Sequence, residues 1–366
     1  MEFGFSDLQE MLRKTARDFL QKECPKSLVR ESEQNDEGYS LDLWRKMAEL
    51  GWMGLIFPEE YGGVGRSFLD LVLLLEEMGR ALVPGPFIPT VCSGLAILRY
   101  GSEEQKRQLL PKLVEGGLIL TSAFTRPIPP AVAMKDEIGR EDGMYVLSGT
   151  RLFVPYAHVA DWLLYLAENK RRRTLLLVDR KSRGISLTPL ETIALDKQWE
   201  IVVDKVSVPP ANILGRSGEE IVTKLEEWGA LAWAAFVLGG LEQVLEMSVE
   251  HAKQRIQFER PIGSFQIIQH QCADMVMDID GVKFLCYEAA WKLSKGLPAN
   301  KEISMAKARA SDASRRVCLL GIKIHGGVGI TVEHDIQLYF RRAKAAELAF
   351  GDADLHREVI AKEMGL

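Results

Sequence analysis

The residues best able to do chemistry in this chain do not form a self-sufficient group. Its five cysteines, Cys24, Cys92, Cys272, Cys286 and Cys318, are scattered and odd in number. No C-x-x-C or Cys/His grouping offers metal-ligand spacing. They read as reduced core thiols, which places the chain in a cytoplasm. One basic run, Lys170-Arg171-Arg172-Arg173, carries enough charge to hold an anion. It lies between two short apolar segments, so a solvated hairpin turn is its better reading. Lone histidines such as His158 and His325 are more often satisfied structural residues than catalysts.

The surrounding composition is that of an ordinary globular protein: 366 residues, 47% apolar and 27% charged. A formal charge of −5 gives no pull toward nucleic acid. No run of about 18 or more apolar residues suggests a membrane span. The first thirty residues carry acids and no apolar core segment, so no secretory signal is expected.

The elements that must position any site change character along the chain. Ser6 and Gln9 form a capping box ahead of Leu8, Met11, Leu12, Thr15 and Phe19 at helical spacing. Cys24-Pro25 ends that helix, because the residue before proline disfavours the α region. A second helix starts near Ser40 and is capped by Gly51. Leu69 to Leu82 is apolar almost all round, the mark of a buried helix. Another begins near Ser102 and ends at Gly116-Gly117.

From Leu118 short strand-like runs take over: Tyr145 and Leu147, Leu152 to Val154, Trp162 to Leu166, Leu175 to Val178, and Ile201 to Val208. Beyond Gly215 long helical patterns return at about 219–256, 264–295, 301–324, 333–347 and 352–364, which suggests an up-and-down bundle. The expected fold class is α+β, with a helical domain over 1–117, a β domain over 118–216 and a four-helix-type bundle over 217–366. The bundle faces look too apolar for a monomer.

Five segments in this order resemble the acyl-CoA dehydrogenase family. They are Phe57-Pro-Glu-Glu-Tyr-Gly-Gly-Val-Gly65, Gly101-Ser-Glu-Glu-Gln-Lys-Arg-Gln-Leu-Leu-Pro111, Val208-Pro-Pro-Ala-Asn-Ile-Leu-Gly215, Arg255-Ile-Gln-Phe-Glu-Arg-Pro-Ile-Gly-Ser-Phe-Gln266 and His325-Gly-Gly-Val-Gly329. The resemblance covers nearly the whole chain. It implies a flavoprotein oxidoreductase of lipid metabolism that uses FAD, assembles as a tetramer and oxidises an acyl-CoA thioester to its 2,3-enoyl form. An electron-transferring flavoprotein is the acceptor the family suggests. That chemistry needs a carboxylate to take the proton α to the thioester carbonyl.

Measured against that resemblance, the carboxylate is missing. Phe350 stands at the family's usual glutamate position, before Gly351. Gly229 stands at the alternative base position on the first long bundle helix, followed by Ala230 where arginine is common. The family's Thr-Glu-Pro and its glycine-rich loop become Thr125-Arg126-Pro127-Ile128-Pro129-Pro130, which removes amide donors. The Trp-Ile-Thr flavin-shielding segment becomes Phe153-Val154-Pro155, which loses a hydroxyl.

Residues that in the family grip the flavin of a dimer neighbour are kept: Arg255, Phe258, Gln266, Gly326 and Gly327, with Lys323 where glutamine is common and Glu259 where glycine is common. Losses therefore fall where the chain would serve its own flavin, and retention where it would serve a partner's. The resemblance is thus to the base-less subunit of a heterotetramer, completing the FAD site of a catalytic paralogue. Two alternatives stay open: a homomeric dehydrogenase with a relocated base among Glu347, Asp352 and Asp354, and a flavin-free structural or regulatory homologue. Asp352 and Asp354, at the start of the last helix, also suit a cap. Trp228 and Trp233 suit either an acyl pocket wall or helix packing.

Overall fold

The computed structural model describes residues 4–124, 137–169 and 172–366. The segment Thr125–Pro130 and the tip of the basic run, Lys170-Arg171, lie outside the described residues. Six helices come first: α1 (Asp7–Glu23), α2 (Lys26–Gln34), α3 (Leu41–Glu49), α4 (Phe68–Ala81), α5 (Phe87–Tyr100) and α6 (Glu103–Val114). Eight strands follow: β1 (Leu120–Ala123), β2 (Glu137–Glu141), β3 (Met144–Pro155), β4 (Trp162–Asn169), β5 (Arg172–Asp179), β6 (Ile185–Leu190), β7 (Gln198–Val208) and β8 (Ile213–Leu214). Helix α7 (Gly218–Gln254), a hairpin of β9 (Ile256–Gln257) and β10 (Arg260–Pro261), and helices α8 (Gln266–Ser294), α9 (Asn300–His325), α10 (Gly327–Ile330), α11 (Ile336–Leu348) and α12 (Ala353–Glu363) complete the chain. The fold class is α+β, in the order helical, β, helical.

The chain divides into two compact units. One comprises Met1–Val29, Ser67–Val83 and Ala230–Leu366; the other comprises Arg30–Arg66 and Pro84–Gly229. In the second unit, one sheet runs β1-β4-β5-β8 and the other β2-β3-β7-β6. Strands β1 and β4 pair in parallel, Leu120 opposite Trp162, and the remaining pairs are antiparallel. Trp44 donates from Nε1 to the carbonyl of Gly116 at 2.8 Å, and Gln105 donates to the carbonyls of Ala211 at 2.7 Å and Ile213 at 3.0 Å. These bonds tie α3 and α6 to the loops bordering the strands. Arg173 of the basic run pairs with Glu219 at 2.5 Å and Glu168 at 3.6 Å.

The first unit is built on α4. Capping boxes start α1 at Ser6 and α4 at Ser67, each satisfying orphan amides. Leu71 to Leu75 are all within 1% of full burial. The same helix carries Glu76 and Glu77, both buried, and they need charged partners. Arg13 reaches Glu76 at 2.8 Å, Arg17 reaches Glu77 at 2.7 Å, and Tyr287 donates to Glu76 at 2.6 Å. Burial and the nearby Glu242 push the Glu76 carboxyl above the usual carboxylate range.

Helices α4 and α7 meet backbone to backbone within this unit. A Cβ added at Gly79 would land on the carbonyl of Phe236, and one at Gly239 on the carbonyl of Glu76. Among the described residues, α7 alone is long and apolar enough to cross a membrane, but 83% of its apolar window is buried in the fold. Its hydropathy is that of a core helix. Because backbone cannot yield to a methyl group, Gly239→Ala is expected to destabilise the protein by about 3 kcal/mol or more, read as a lowered urea midpoint at unchanged slope.

Candidate functional site

In the first unit, Arg255 lies at the end of α7, where its amide bonds the His251 carbonyl at 2.8 Å. The β9–β10 hairpin follows at once, with Gln257 opposite Arg260. Its two turn residues, Phe258 and Glu259, have φ of 52° and 66°. Both are left-handed without being glycine, which costs about 1 kcal/mol each. The strained turn presents Phe258 87% exposed, with Phe265 edge-on at 6.0 Å. Gln266 is exposed in the first turn of α8.

The second half of this seat is the turn after α9. Gly326 has φ 65° and ψ −143°, and its amide closes the helix onto Ile322 and Lys323. A Cβ at Gly326 or Gly327 would meet nothing within 4 Å, so the backbone is open to an approaching ligand. Lys323, one turn earlier, is exposed. Rings join the two halves: His251 stacks on His325 at 4.5 Å, and His325 immediately precedes Gly326. Arg255, Lys323 and the open glycine backbone together suit a diphosphate, which asks for a guanidinium fork and close backbone approach.

In the second unit, β3 carries a register break against β7 between Arg151 and Val154. Phe153 sits in that bulge with φ 54° and is half exposed. A bulge of this kind re-aims one side chain out of the ladder. Two residues on, Pro155 has no amide hydrogen, and its carbonyl is taken by the Thr121 hydroxyl at 2.6 Å. Beneath the bulge, the buried Arg151 donates to the carbonyls of Ala123, Thr150 and Leu166 and lies over the Tyr165 ring. A ring-covering side chain is therefore in place, while the position two residues later has no donor to offer a flavin.

Phe350 and Gly351 link α11 to α12 with φ of 56° and 98°. Lys307, inside α9 and almost wholly buried, donates from Nζ to the carbonyls of Glu347 at 3.0 Å and Gly351 at 2.7 Å. His356 bonds the Phe350 carbonyl through Nε2 at 3.0 Å. Burial draws the Lys307 amine down to about 7. Burial, then Lys307, draws the His356 imidazole down to about 4. Neither Lys307 nor His356 stands out in the sequence, because their partners lie up to 44 residues away.

The C-terminal domain pattern of acyl-CoA dehydrogenases matches residues 216–365, and the N-terminal domain pattern matches residues 6–117. The acryloyl-CoA reductase (NADH) of Anaerotignum propionicum is 31% identical over all of this chain and 96% of its own length. One chain of the ChsE4–ChsE5 complex from Mycobacterium tuberculosis superposes with a TM-score of 0.93 at 30% identity, covering 100% of this chain and 99% of that one. Butyryl-CoA dehydrogenase from Megasphaera elsdenii gives 0.92 at 28% identity over the full length of both.

The chain belongs to the acyl-CoA dehydrogenase family. Homologues in this family are FAD-dependent oxidoreductases. A dehydrogenase of this kind needs its base as an unengaged carboxylate, and the described residues supply none that is buried. Asp70 is bound to the Ser67 amide; Glu76 and Glu77 bind arginines; Glu242 pairs with Arg80 at 3.0 Å and Lys283 at 2.5 Å. Asp278 binds Arg309 and Arg316, and Glu347 binds Lys344 at 2.9 Å and Arg315 at 3.3 Å.

Glu227, also buried, is two residues from Gly229, but it pairs with Lys224 at 2.6 Å. Two residues along a helix turn a side chain by about 200°, so Glu227 leaves from the opposite face of α7. Asp352 caps α12 by accepting from the Leu355 amide at 3.0 Å, and Asp354 pairs with Arg357. The remaining marked residues are structural: His158 bonds the Asp36 carbonyl and stacks on Trp199, Trp233 packs edge-on with Phe236, and Trp228 is buried.

His356 is depressed from 6.5 to about 4, so the unfolded chain binds its proton more readily than the folded one. Its contribution to stability is present above pH 6.5 and is lost as pH falls toward 4, up to about 3 kcal/mol. Denaturation midpoints of His356→Gln should therefore fall less steeply than wild type across that window. At the hairpin, Glu259→Gly removes left-handed strain and should raise stability by about 0.5–1 kcal/mol, read as a higher melting temperature.

Proposed function

We propose that this chain is the non-catalytic subunit of a heteromeric acyl-CoA dehydrogenase, completing the FAD site of a paralogous subunit that carries the base. The observation that carries the proposal is Phe350. The turn it occupies is held by Lys307 and His356, and its side chain cannot accept a proton. The buried carboxylates elsewhere are engaged, which supports this reading over a relocated base among them.

The division of labour follows from the two halves. Bound FAD supplies a hydride acceptor for the β carbon of the acyl group. On this chain, Arg255, Lys323 and the Gly326–Gly327 backbone would hold the diphosphate of the partner's flavin, with Gln266 and Phe258 beside it. The partner's own carboxylate would take the α proton of the acyl-CoA. Pro155 offers nothing to a flavin of this chain's own. Support comes also from the likeness to a chain of the ChsE4–ChsE5 complex, an assembly of two differently named subunits. An electron-transferring flavoprotein is the acceptor consistent with family membership, and an electron transferring flavoprotein of Acidaminococcus fermentans is among the structural neighbours.

The test is co-expression with a paralogue that has glutamate at the base position. Purified alone, the chain should be colourless and should not oxidise acyl-CoA. Co-purified with the paralogue, it should give a yellow complex with about one flavin per pair of chains, and Arg255→Ala should lower that occupancy about tenfold. One flavin per chain and acyl-CoA oxidation by this chain alone would overturn the proposal.

A further inference from the structure

Three histidines from distant parts of the sequence are stacked in one pile in the first unit. His325 lies between His251, parallel to it at 4.5 Å, and His334, tilted at 4.8 Å. Two of the rings have a nitrogen engaged by backbone. Nδ1 of His325 bonds the Gly321 carbonyl at 2.8 Å, which fixes its proton on that nitrogen and leaves Nε2 bare. Nδ1 of His334 accepts from the Ile336 amide at 3.2 Å, which places its proton on Nε2. The His251 ring has no hydrogen-bond partner among the described residues and is only partly buried.

The pile adjoins the diphosphate seat at both of its ends. His251 is one helical turn before Arg255, and His325 is the residue before Gly326. Each element around it contributes a defined group. From α7 the stack faces Arg255, from α9 the carbonyl of Gly321, and from the segment ahead of α11 the His334 ring and the Ile336 amide. Arg255 is the formal charge that acts on His251, and the rings act on one another.

We propose that the His251–His325–His334 stack is a proton store beneath the anion seat, so that a diphosphate-bearing ligand is taken up together with a proton. The inference rests on the reading of Arg255 and Gly326–Gly327 as that seat. Without a ligand, burial, Arg255 and the His334 ring oppose a positive charge on His251. A diphosphate over Arg255 neutralises the guanidinium and adds negative charge beside the pile, so the first proton becomes favourable. His251 takes it, being the ring with both nitrogens uncommitted. Binding and protonation then reinforce one another, and affinity rises as pH falls through the imidazole range.

ADP-ribose is the probe, because its diphosphate stays fully ionised across that range and it has no flavin ring. It is titrated into the full-length chain by calorimetry at pH 6 and pH 8, each in two buffers of different ionisation enthalpy. The expected result is about 3- to 10-fold tighter binding at pH 6, with up to about one proton taken up per ligand. His251→Phe keeps a ring in the stack and should flatten the pH slope. Arg255→Ala should weaken binding at both pH values. Binding that depends on Arg255 but shows no pH slope and no proton uptake overturns this inference and leaves the seat standing. So does a full slope retained in His251→Phe. No binding by the wild-type chain, or binding indifferent to Arg255→Ala, overturns the seat and the inference with it.

Discussion

Lys307 fixes the most informative turn in the molecule. Its amine is buried in α9 and satisfied by the carbonyls of Glu347 and Gly351, and His356 adds a bond to the carbonyl of Phe350 between them. Burial lowers the proton affinity of both bases, and Lys307 lowers that of His356 further, so the arrangement is tolerated because both give their hydrogen bonds to backbone. The turn is held from the backbone, independently of what side chain stands at 350. That separates scaffold from chemistry. The left-handed backbone at 350 and 351 is thus set by the surrounding hydrogen bonds and does not need a particular side chain at 350.

The same separation runs through the other half of the molecule. The bulge at Phe153 keeps a ring-covering side chain aimed out of the sheet, while two residues later Pro155 and its bond from Thr121 close off any donor. The hairpin at Phe258-Glu259, by contrast, keeps both its strained geometry and its exposure. Strain of about 1 kcal/mol per residue persists where surrounding structure over-determines it. Backbone strain is thus present at Phe153, at the Phe258-Glu259 turn and at Phe350 alike.

Much of this was legible in the sequence where the signal is local. The capping box at Ser6, the apolar helix over Leu71 to Leu75 and the long C-terminal helices follow from periodicity and end signals, and the structure has them within a few residues. Helix α2 escaped notice because it starts directly after Pro25 and is mostly polar, and α5 because Pro89 and Gly94 interrupt its pattern. Strand β1 is four residues long and fully buried, so it shows no alternation. Strand β2 is largely exposed and charged, and reads as a turn. The expectation at Phe350 rested on resemblance alone, since a phenylalanine announces nothing by itself.

What the sequence could not show is long-range charge pairing. Glu76 and Glu77 read as polar breaks in an apolar helix until Arg13 and Arg17, sixty or more residues earlier, are found opposite them. The histidine stack is hidden in the same way: His251 and His325 are in different helices, and each alone is an ordinary ring on a helix face. Once assembled, the two kinds of cluster differ in a way that bears on function. The buried Glu76 and Glu77 of α4 meet arginines, which supply counter-charge inside the fold. The histidines stack on one another near Arg255, whose charge adds to burial in opposing a proton on His251. A cluster whose charge is balanced from within stabilises; one that lacks its counter-charge is complete only when an anion arrives from outside, and its position beside an open glycine backbone is where a partner's diphosphate would supply it.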